Sequence, residues 1–510
     1  MDSAHKRIAL NTIYLYVSSI VQLLLGLYTS RYLLIALGVT DFGIFGVVGG
    51  IIFLFSFINS ALSGASSRYL TVELVKGNVN TQQIVFTTVV LAHLLIAVLT
   101  LVGAETLGLW YVCNSLDFPV DRTTAVHWVY QLSILIALMN IVQVPFSSSV
   151  LAHEKVSFLS FWGTTSIFLR FVVIFFLQYF EDDHLILYTI FLALVNLIIL
   201  GGYVLFCVYK FRECRFVYRK HYPLLKEMMV FTGYNTFNSL STALRTQGTS
   251  LIINKFFGVL LNAANSISSM VSGYILGFTW NVVTAFRPQI VKAYASNDIP
   301  RMQRDVVLCV EFCIAIYSYI AIPIILLTEQ VLEIWLKTVP EHTAIFCRIT
   351  LFGSIFGLLN MIVVIVIQAT TKIRSNSINV CVASALALVF MSIAFLYGFP
   401  AYVAFIILAI TEFCILLISL YGMKKLIPEV SILLFLRRTF RVLFLVLLAG
   451  SMVYSVSLIM AFPSLLQVIL LAVAYAVVFS TLFYFFVLDK DVRVKVLSKI
   501  GRILPFSRGH

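Results

Sequence analysis

The sequence predicts an all-α integral membrane protein of about fourteen transmembrane helices, built as two parallel-repeat six-helix bundles plus two C-terminal helices. Three observations predict it. Of 510 residues, 61% are hydrophobic and 11% charged, with mean hydropathy +1.01, whereas a soluble domain carries about a quarter charged residues. Apolar runs of about 20 residues, long enough to cross a bilayer, recur from end to end. The basic residues between those runs alternate between rich and poor loops, as the positive-inside rule requires.

In chain order the predicted spans cover about residues 10 to 33, 42 to 64, 84 to 110, 125 to 149, 157 to 179, 186 to 208, 229 to 253, 259 to 284, 306 to 328, 344 to 368, 377 to 397, 401 to 422, 440 to 461 and 465 to 488. Lys6 and Arg7 precede the first run, and no short apolar stretch with a small-residue cleavage site follows. The run is therefore expected to be an uncleaved first span. An even count places both termini on one face. With that face cytoplasmic, the inner loops and tails hold 28 Lys and Arg, and the outer loops hold four: Arg31, Arg122, Lys255 and Lys337. The outer loops also hold ten acids, among them Asp41, Asp117 and Asp183. The net charge of +13 thus reflects orientation toward anionic lipid headgroups, and no nucleic-acid partner is expected.

A faint internal repeat appears at a period near 220 residues. Gly38-Val39 after span 1 matches Gly258-Val259 after span 7. Arg68, Val72 and Asn78 match Arg287, Val291 and Asn297. The expected division is an N-terminal six-helix bundle over 1–208, a basic cytoplasmic linker over 209–228, a second six-helix bundle over 229–422, two extra spans within 423–488 and a basic cytoplasmic tail over 489–510. Six spans per half make the repeats parallel, with a cavity between the two bundles.

Amides are costly against lipid, so their positions mark faces that line protein or water. Asn235, Asn238, Thr242, Arg245 and Thr249 recur at steps of three and four in span 7. Asn11 and Gln22 in span 1, Asn59 in span 2, and Asn262 and Asn265 in span 8 extend the pattern. Interhelical hydrogen bonding accounts for single residues of this kind; the set is expected to line a cavity.

Arg170, Arg245 and Arg348 lie inside spans 5, 7 and 10, in the outer half of the bilayer by helix rise, with Arg31 near the outer end of span 1. A buried guanidinium stays charged and needs an anion, either a carboxylate of the protein or a ligand. Within spans only Glu311, toward the inner end of span 9, and Glu412, near the middle of span 12, can serve. Glu412 and Glu311 are also the candidates for ion coupling. A guanidinium suits bidentate contact with phosphate oxygens, so Arg245, Arg170, Arg348 and Arg31 form the candidate anion site.

No catalytic residues, metal ligands or cofactors are expected. The eight cysteines have no metal-ligand spacing, Gly46 to Gly50 lies inside span 2 and not in a nucleotide loop, and no Walker A or HExxH sequence occurs. A membrane polymerase or ligase usually needs a large outer loop, and each outer loop here is about 15 residues or fewer.

The stretch from Ala9 to Asn78, with NTIYLYVSSIVQLLLGLYTSRYLLIALGVTDFGIFGVVGG followed by FINSALSGASSRYLTVELVKGN, resembles the opening of Wzx-type polysaccharide flippases, which carry O-antigen or capsule repeat units. These belong to the multidrug/oligosaccharidyl-lipid/polysaccharide (MOP) exporter superfamily. The resemblance implies an inner-membrane carrier with cytoplasmic termini. It would move undecaprenyl-pyrophosphate-linked oligosaccharide to the periplasmic leaflet by alternating access, beside the polysaccharide polymerase machinery. It also implies that spans 13 and 14 hold the lipid tail. Substrate and membrane lipids are then the expected partners. The alternative within the superfamily is a cation-coupled multidrug antiporter, which typically has an acid in span 1 or 7; this sequence has none there.

Overall fold

The computed structural model describes residues 2–55, 62, 66–67, 69–71, 73–74, 77–153, 155–215, 236–370, 372–457 and 464–487, with side chains over the same residues except 2–20, 23, 52–55, 156, 288, 457 and 464–465. Among the described residues there is no strand. The α-helices are α1 (Asp2–Phe55), α2 (Val79–Gly103), α3 (Leu109–Asn114), α4 (Thr123–Ala152), α5 (Val156–Leu177), α6 (His184–Lys210), α7 (Thr249–Ala295), α8 (Ile299–Leu326), α9 (Thr328–Leu336), α10 (Thr343–Ala369), α11 (Arg374–Leu396), α12 (Val403–Leu426), α13 (Ile432–Ser457) and α14 (Ser464–Phe486). Two π-helical turns, Ala104–Gly108 and Leu244–Gly248, interrupt the helical runs that lead into α3 and α7.

Eleven runs among the described residues are long and apolar enough to cross a membrane. Their outer surfaces suit lipid. On α13, Phe440, Phe444 and Leu447 are 65–69% exposed, and they stand at helical spacing on one face. Soluble proteins rarely expose so large an apolar surface, so the chain is a multi-pass membrane protein.

The sequence places loops between spans 1 and 2 and between spans 7 and 8. The structure has none at either place. Helix continues from span 1 into span 2 in α1 and from the end of span 7 into span 8 in α7, and each has one residue of non-helical backbone, Gly38 (φ 73°, ψ 174°) and Gly258 (φ 76°, ψ −175°). That region of backbone space is open essentially to glycine alone. The two breaks are 220 residues apart, and the same offset continues at the other end of each pair of spans. Gly77 (φ 76°) and Asn297 (φ 57°) both turn left-handed. Asn78 Oδ1 accepts from Asn80 N and Thr81 N to cap α2, and Asp298 Oδ1 accepts from Arg301 N to cap α8. The sequence pairing of Asn78 with Asn297 is thus off by one: the turn residues correspond as Gly77 and Asn297, the caps as Asn78 and Asp298. Helix capping defines this register, and residue identity does not.

The chain forms two compact units. The first takes in the described residues of 1–271, 335–353 and 372–418. One of its cores gathers Phe86, Val89, Ile141, Val195 and Tyr203 from α2, α4 and α6. The other gathers Ile253, Ala264, Phe346, Met391 and Phe405 from α7, α10, α11 and α12.

Glycines at helical spacing on α1 bring it close to the span 7 and 8 helices. A Cβ at Gly43 would lie 2.1 Å from Val259 O, and at Gly50 2.1 Å from Gln247 Oε1, while at Gly49 nothing lies within 4 Å. Gly43→Ala is therefore expected to cost about 1–3 kcal/mol, since backbone has to move. Gly50→Ala should cost less, because the Gln247 side chain can swing aside. Gly49→Ala should be neutral or slightly stabilising through helix propensity. Thermal midpoints of the three variants in detergent check this order.

At one end of its helices the first unit carries an ionic cluster that spacing alone does not reveal. Arg122 Nε donates to Asp41 Oδ1 at 2.9 Å and Nη2 to Asp41 Oδ2 at 2.6 Å. Nη1 donates to Asp183 Oδ2 at 2.6 Å and Nη2 to Asp183 Oδ1 at 3.0 Å. Asp183 Oδ1 also accepts from Leu185 N and Ile186 N as the cap of α6.

The second unit takes in the described residues of 272–334, 354–371 and 419–510. In it α8 packs against α13 and α14. Tyr319 meets Phe479 edge-on at 5.2 Å and its hydroxyl hydrogen-bonds Ser480 Oγ at 2.7 Å.

Candidate functional site

Arg245 lies in the π-helical turn Leu244–Gly248 of the first unit, between the helical residues 236–243 and α7. Such single turns insert one residue into an α-helix and recur at functional positions. Here the insertion falls at Arg245 itself, and Asn238, Ser241, Arg245 and Thr249 all meet α11, Thr249 through its buried Oγ1, 3.7 Å from Met391 Sδ.

Polar ties link this helix to α11 and α12. Asn238 Nδ2 donates to Ser377 Oγ at 2.9 Å, and the Ser241 and Ser384 hydroxyls pair at 2.6 Å. Arg245 Nη1 then donates to Ser241 Oγ and to Ser384 Oγ, each at 3.0 Å. On the other edge Arg245 Nε lies 3.0 Å from Glu412 Oε1 of α12, with the two side chains 17% and 21% exposed. Arg245 Nη2 and Glu412 Oε2 have no partner among the described residues. The site is thus a guanidinium fixed in plane by two hydroxyls, balanced by one carboxylate and partly open.

The sequence singled out Arg245 and Glu412 separately, and the structure joins them. Ser241, Ser377 and Ser384 are contributors the sequence reading did not select. Ser377 and Ser384 are seven residues apart on α11 and so share a face.

Glu311 has a different partner. It is 3% exposed and Arg438 Nη1 of α13 donates to its Oε1 at 3.3 Å, a tie inside the second unit between α8 and the C-terminal helices. Arg170 is half-buried on α5, with its Nε buried and without a hydrogen-bond partner. Arg31 and Arg348 are half-buried on α1 and α10, and both are engaged in polar or electrostatic contacts.

Gln22 is half-buried, with Nε2 3.4 Å from where a Cβ on Gly163 would sit. Asn262 is fully buried and accepts from Ser250 Oγ at 2.8 Å, while its Nδ2 is buried without a partner. Asn265 is 7% exposed. Asn59 and Asn235 lie outside the described residues, as does the side chain of Asn11. An asparagine the sequence reading passed over, Asn254, is fully buried and pins the loop after α3: its Nδ2 donates to Asp117 O and its Oδ1 accepts from Asp117 N. No group of three or more potential metal ligands occurs among the described residues.

No family model and no curated protein sequence matches the chain. Solved structures do. The chain is similar to the lipid II flippase MurJ in an inward closed conformation, with TM-score 0.69 and 15% identity over 93% of this chain and 99% of that one. It is similar to the MATE multidrug transporter DinF-BH, solved in a ligand complex, with TM-score 0.62 and 12% identity over 84% of this chain and 97% of that one. A MOP superfamily transporter from Pyrococcus furiosus, described as having reverse polarity of its binding pocket, gives TM-score 0.57 and 13% identity over 82% of this chain and 95% of that one. At these identities the likeness is one of fold, and the chain has the MOP-type transporter fold.

Proposed function

We propose that the protein is a flippase of the Wzx type. It carries undecaprenyl-pyrophosphate-linked oligosaccharide from the cytoplasmic to the periplasmic leaflet of the inner membrane by alternating access and delivers it to polysaccharide assembly. The six-plus-six-plus-two division and cytoplasmic termini belong to the same proposal, since the distribution of Lys and Arg supports them.

The observation that carries the reading is Arg245. A half-buried guanidinium, fixed by Ser241 and Ser384 and with Nη2 unpartnered, is suited to receive a phosphate oxygen. Charge-assisted hydrogen bonds of this kind contribute about 1.5–3 kcal/mol each. Arg170, with its unpartnered Nε, is a second candidate contact, and Arg31 and Arg348 complete the set. The likeness to a lipid II flippase supports a lipid-linked substrate. A lipid tail would stay in the bilayer along α13 and α14.

One observation favours a second reading, a cation-coupled multidrug antiporter: the site also holds the carboxylate of Glu412, and MATE transporters share the fold. Leaflet accessibility of an undecaprenyl-pyrophosphate oligosaccharide in proteoliposomes separates the two. Acceleration by the wild-type chain supports the flippase. No acceleration, in a preparation that exchanges a cationic dye for protons, overturns it in favour of the antiporter.

A further inference from the structure

A guanidinium can offer a phosphate two parallel N–H bonds from one of its edges, either Nε with a hydrogen of Nη2, or Nη1 with Nη2. In Arg245 both edges are partly taken. Nη1 donates to Ser241 Oγ and Ser384 Oγ. Nε faces Glu412 Oε1 at 3.0 Å. The serines cannot leave easily, because their hydroxyls also bond each other at 2.6 Å and Ser384 Oγ donates to Val380 O at 2.9 Å. No hydrogen bond holds either Glu412 oxygen among the described residues, and the Glu412 side chain is 21% exposed. The carboxylate is the one occupant of the guanidinium that can swing away.

We propose that Glu412 is a tethered counter-ion that occupies the Nε edge of Arg245 at rest and has to be displaced by the anionic ligand, so that it sets which anions the site accepts. This rests on the reading of Arg245 as the pyrophosphate contact. At rest the pair is formally neutral. A singly charged carboxylate offers Arg245 no more than Glu412 already does, and Glu412 has the advantage of being held in place. A pyrophosphoryl group brings more charge and more acceptor oxygens and displaces it. Glu412 is thereby a specificity-determining residue: its charge raises the threshold for binding and rejects monoanions.

The test is binding of inorganic pyrophosphate and of acetate to the purified full chain in detergent by isothermal titration calorimetry, with thermal midpoints as the control for folding. Glu412→Gln keeps the shape and an acceptor for Nε but removes the charge. It is expected to bind pyrophosphate about tenfold more tightly than wild type, and to gain measurable acetate binding. Glu412→Asp, whose shorter arm weakens the contact, is expected to fall between the two and gives the answer if the glutamine variant does not fold. Arg245→Ala should bind neither anion. Unchanged or weaker pyrophosphate binding in Glu412→Gln and Glu412→Asp, with binding lost in Arg245→Ala, overturns the counter-ion role and leaves the anion site standing. Undiminished binding in Arg245→Ala overturns the anion site itself, and this inference with it.

Discussion

Alanine at Arg245 is expected to slow translocation of the lipid-linked oligosaccharide in proteoliposomes by about a hundredfold or more. Two charge-assisted hydrogen bonds contribute roughly 3–6 kcal/mol together, and each 1.36 kcal/mol is about tenfold in rate when the contact is lost from the transition state. Arg245→Lys keeps the charge and loses the two-point edge, so about a tenfold loss is expected. Alanine also leaves Glu412 without its counter-charge. Because that side chain is partly exposed, the cost in stability is about 1–2 kcal/mol and not the 3–5 kcal/mol of a fully buried pair. The double variant Arg245→Ala/Glu412→Gln should recover the thermal midpoint and remain inactive. A double variant that recovers transport places the phosphate contact elsewhere.

The largest loss of stability is expected at the Arg122–Asp41–Asp183 cluster. Arg122→Ala removes four hydrogen bonds and leaves Asp41 and Asp183 as neighbouring carboxylates with no cation between them. With side chains 17–28% exposed, the cost is about 2–4 kcal/mol. Asp41→Asn in the same background should restore part of it. The cluster also has an acid signature. Burial pushes the Asp183 carboxyl up, but the Arg122 hydrogen bonds, the amides of Ile186 and Leu185 and the Arg122 charge outweigh it and hold the group below its ordinary range. A lowered folded-state value adds stability that is fully present above the unfolded value of about 3.9 and is lost as pH falls through the folded one. Acid unfolding of Asp183→Asn should therefore be less steep below about pH 4 than that of wild type. An identical acid limb in the two proteins rules out this source.

Most of the helices were legible in the sequence, because an apolar run of spanning length between charged loops has few alternatives in lipid. The glycines after spans 1 and 7 were legible as the repeated Gly38-Val39 and Gly258-Val259, but not that helix resumes at once beyond each: hydropathy marks a polar gap between spans, while the backbone leaves the α region there at a single glycine. At the site, Arg245 and Glu412 stood out because charge inside a span is costly. Their union did not, since nothing in local spacing says which of the in-span acids an arginine meets, and Glu311 goes to Arg438 instead. The π-helical turn was invisible for a related reason. It adds a residue to the helix at Leu244–Gly248 with no composition of its own. Arg122, Asp41 and Asp183 belong to three segments far apart in sequence, so only the packing of α1, α4 and α6 could bring them together.

The offset of 220 that matches the glycine breaks and the helix caps also says what the repeat left out. It carries Arg245 onto Leu25, or onto Gly26 if the extra residue of the π-helical turn is discounted, in a part of α1 with no break other than Gly38. Neither can hold a charge. The breaks and caps therefore recur at the offset, while the Arg245–Glu412 pair occurs at one of its two places alone. Under the proposed function the two matched segments meet the anion unequally, since one brings a guanidinium and the other an apolar residue.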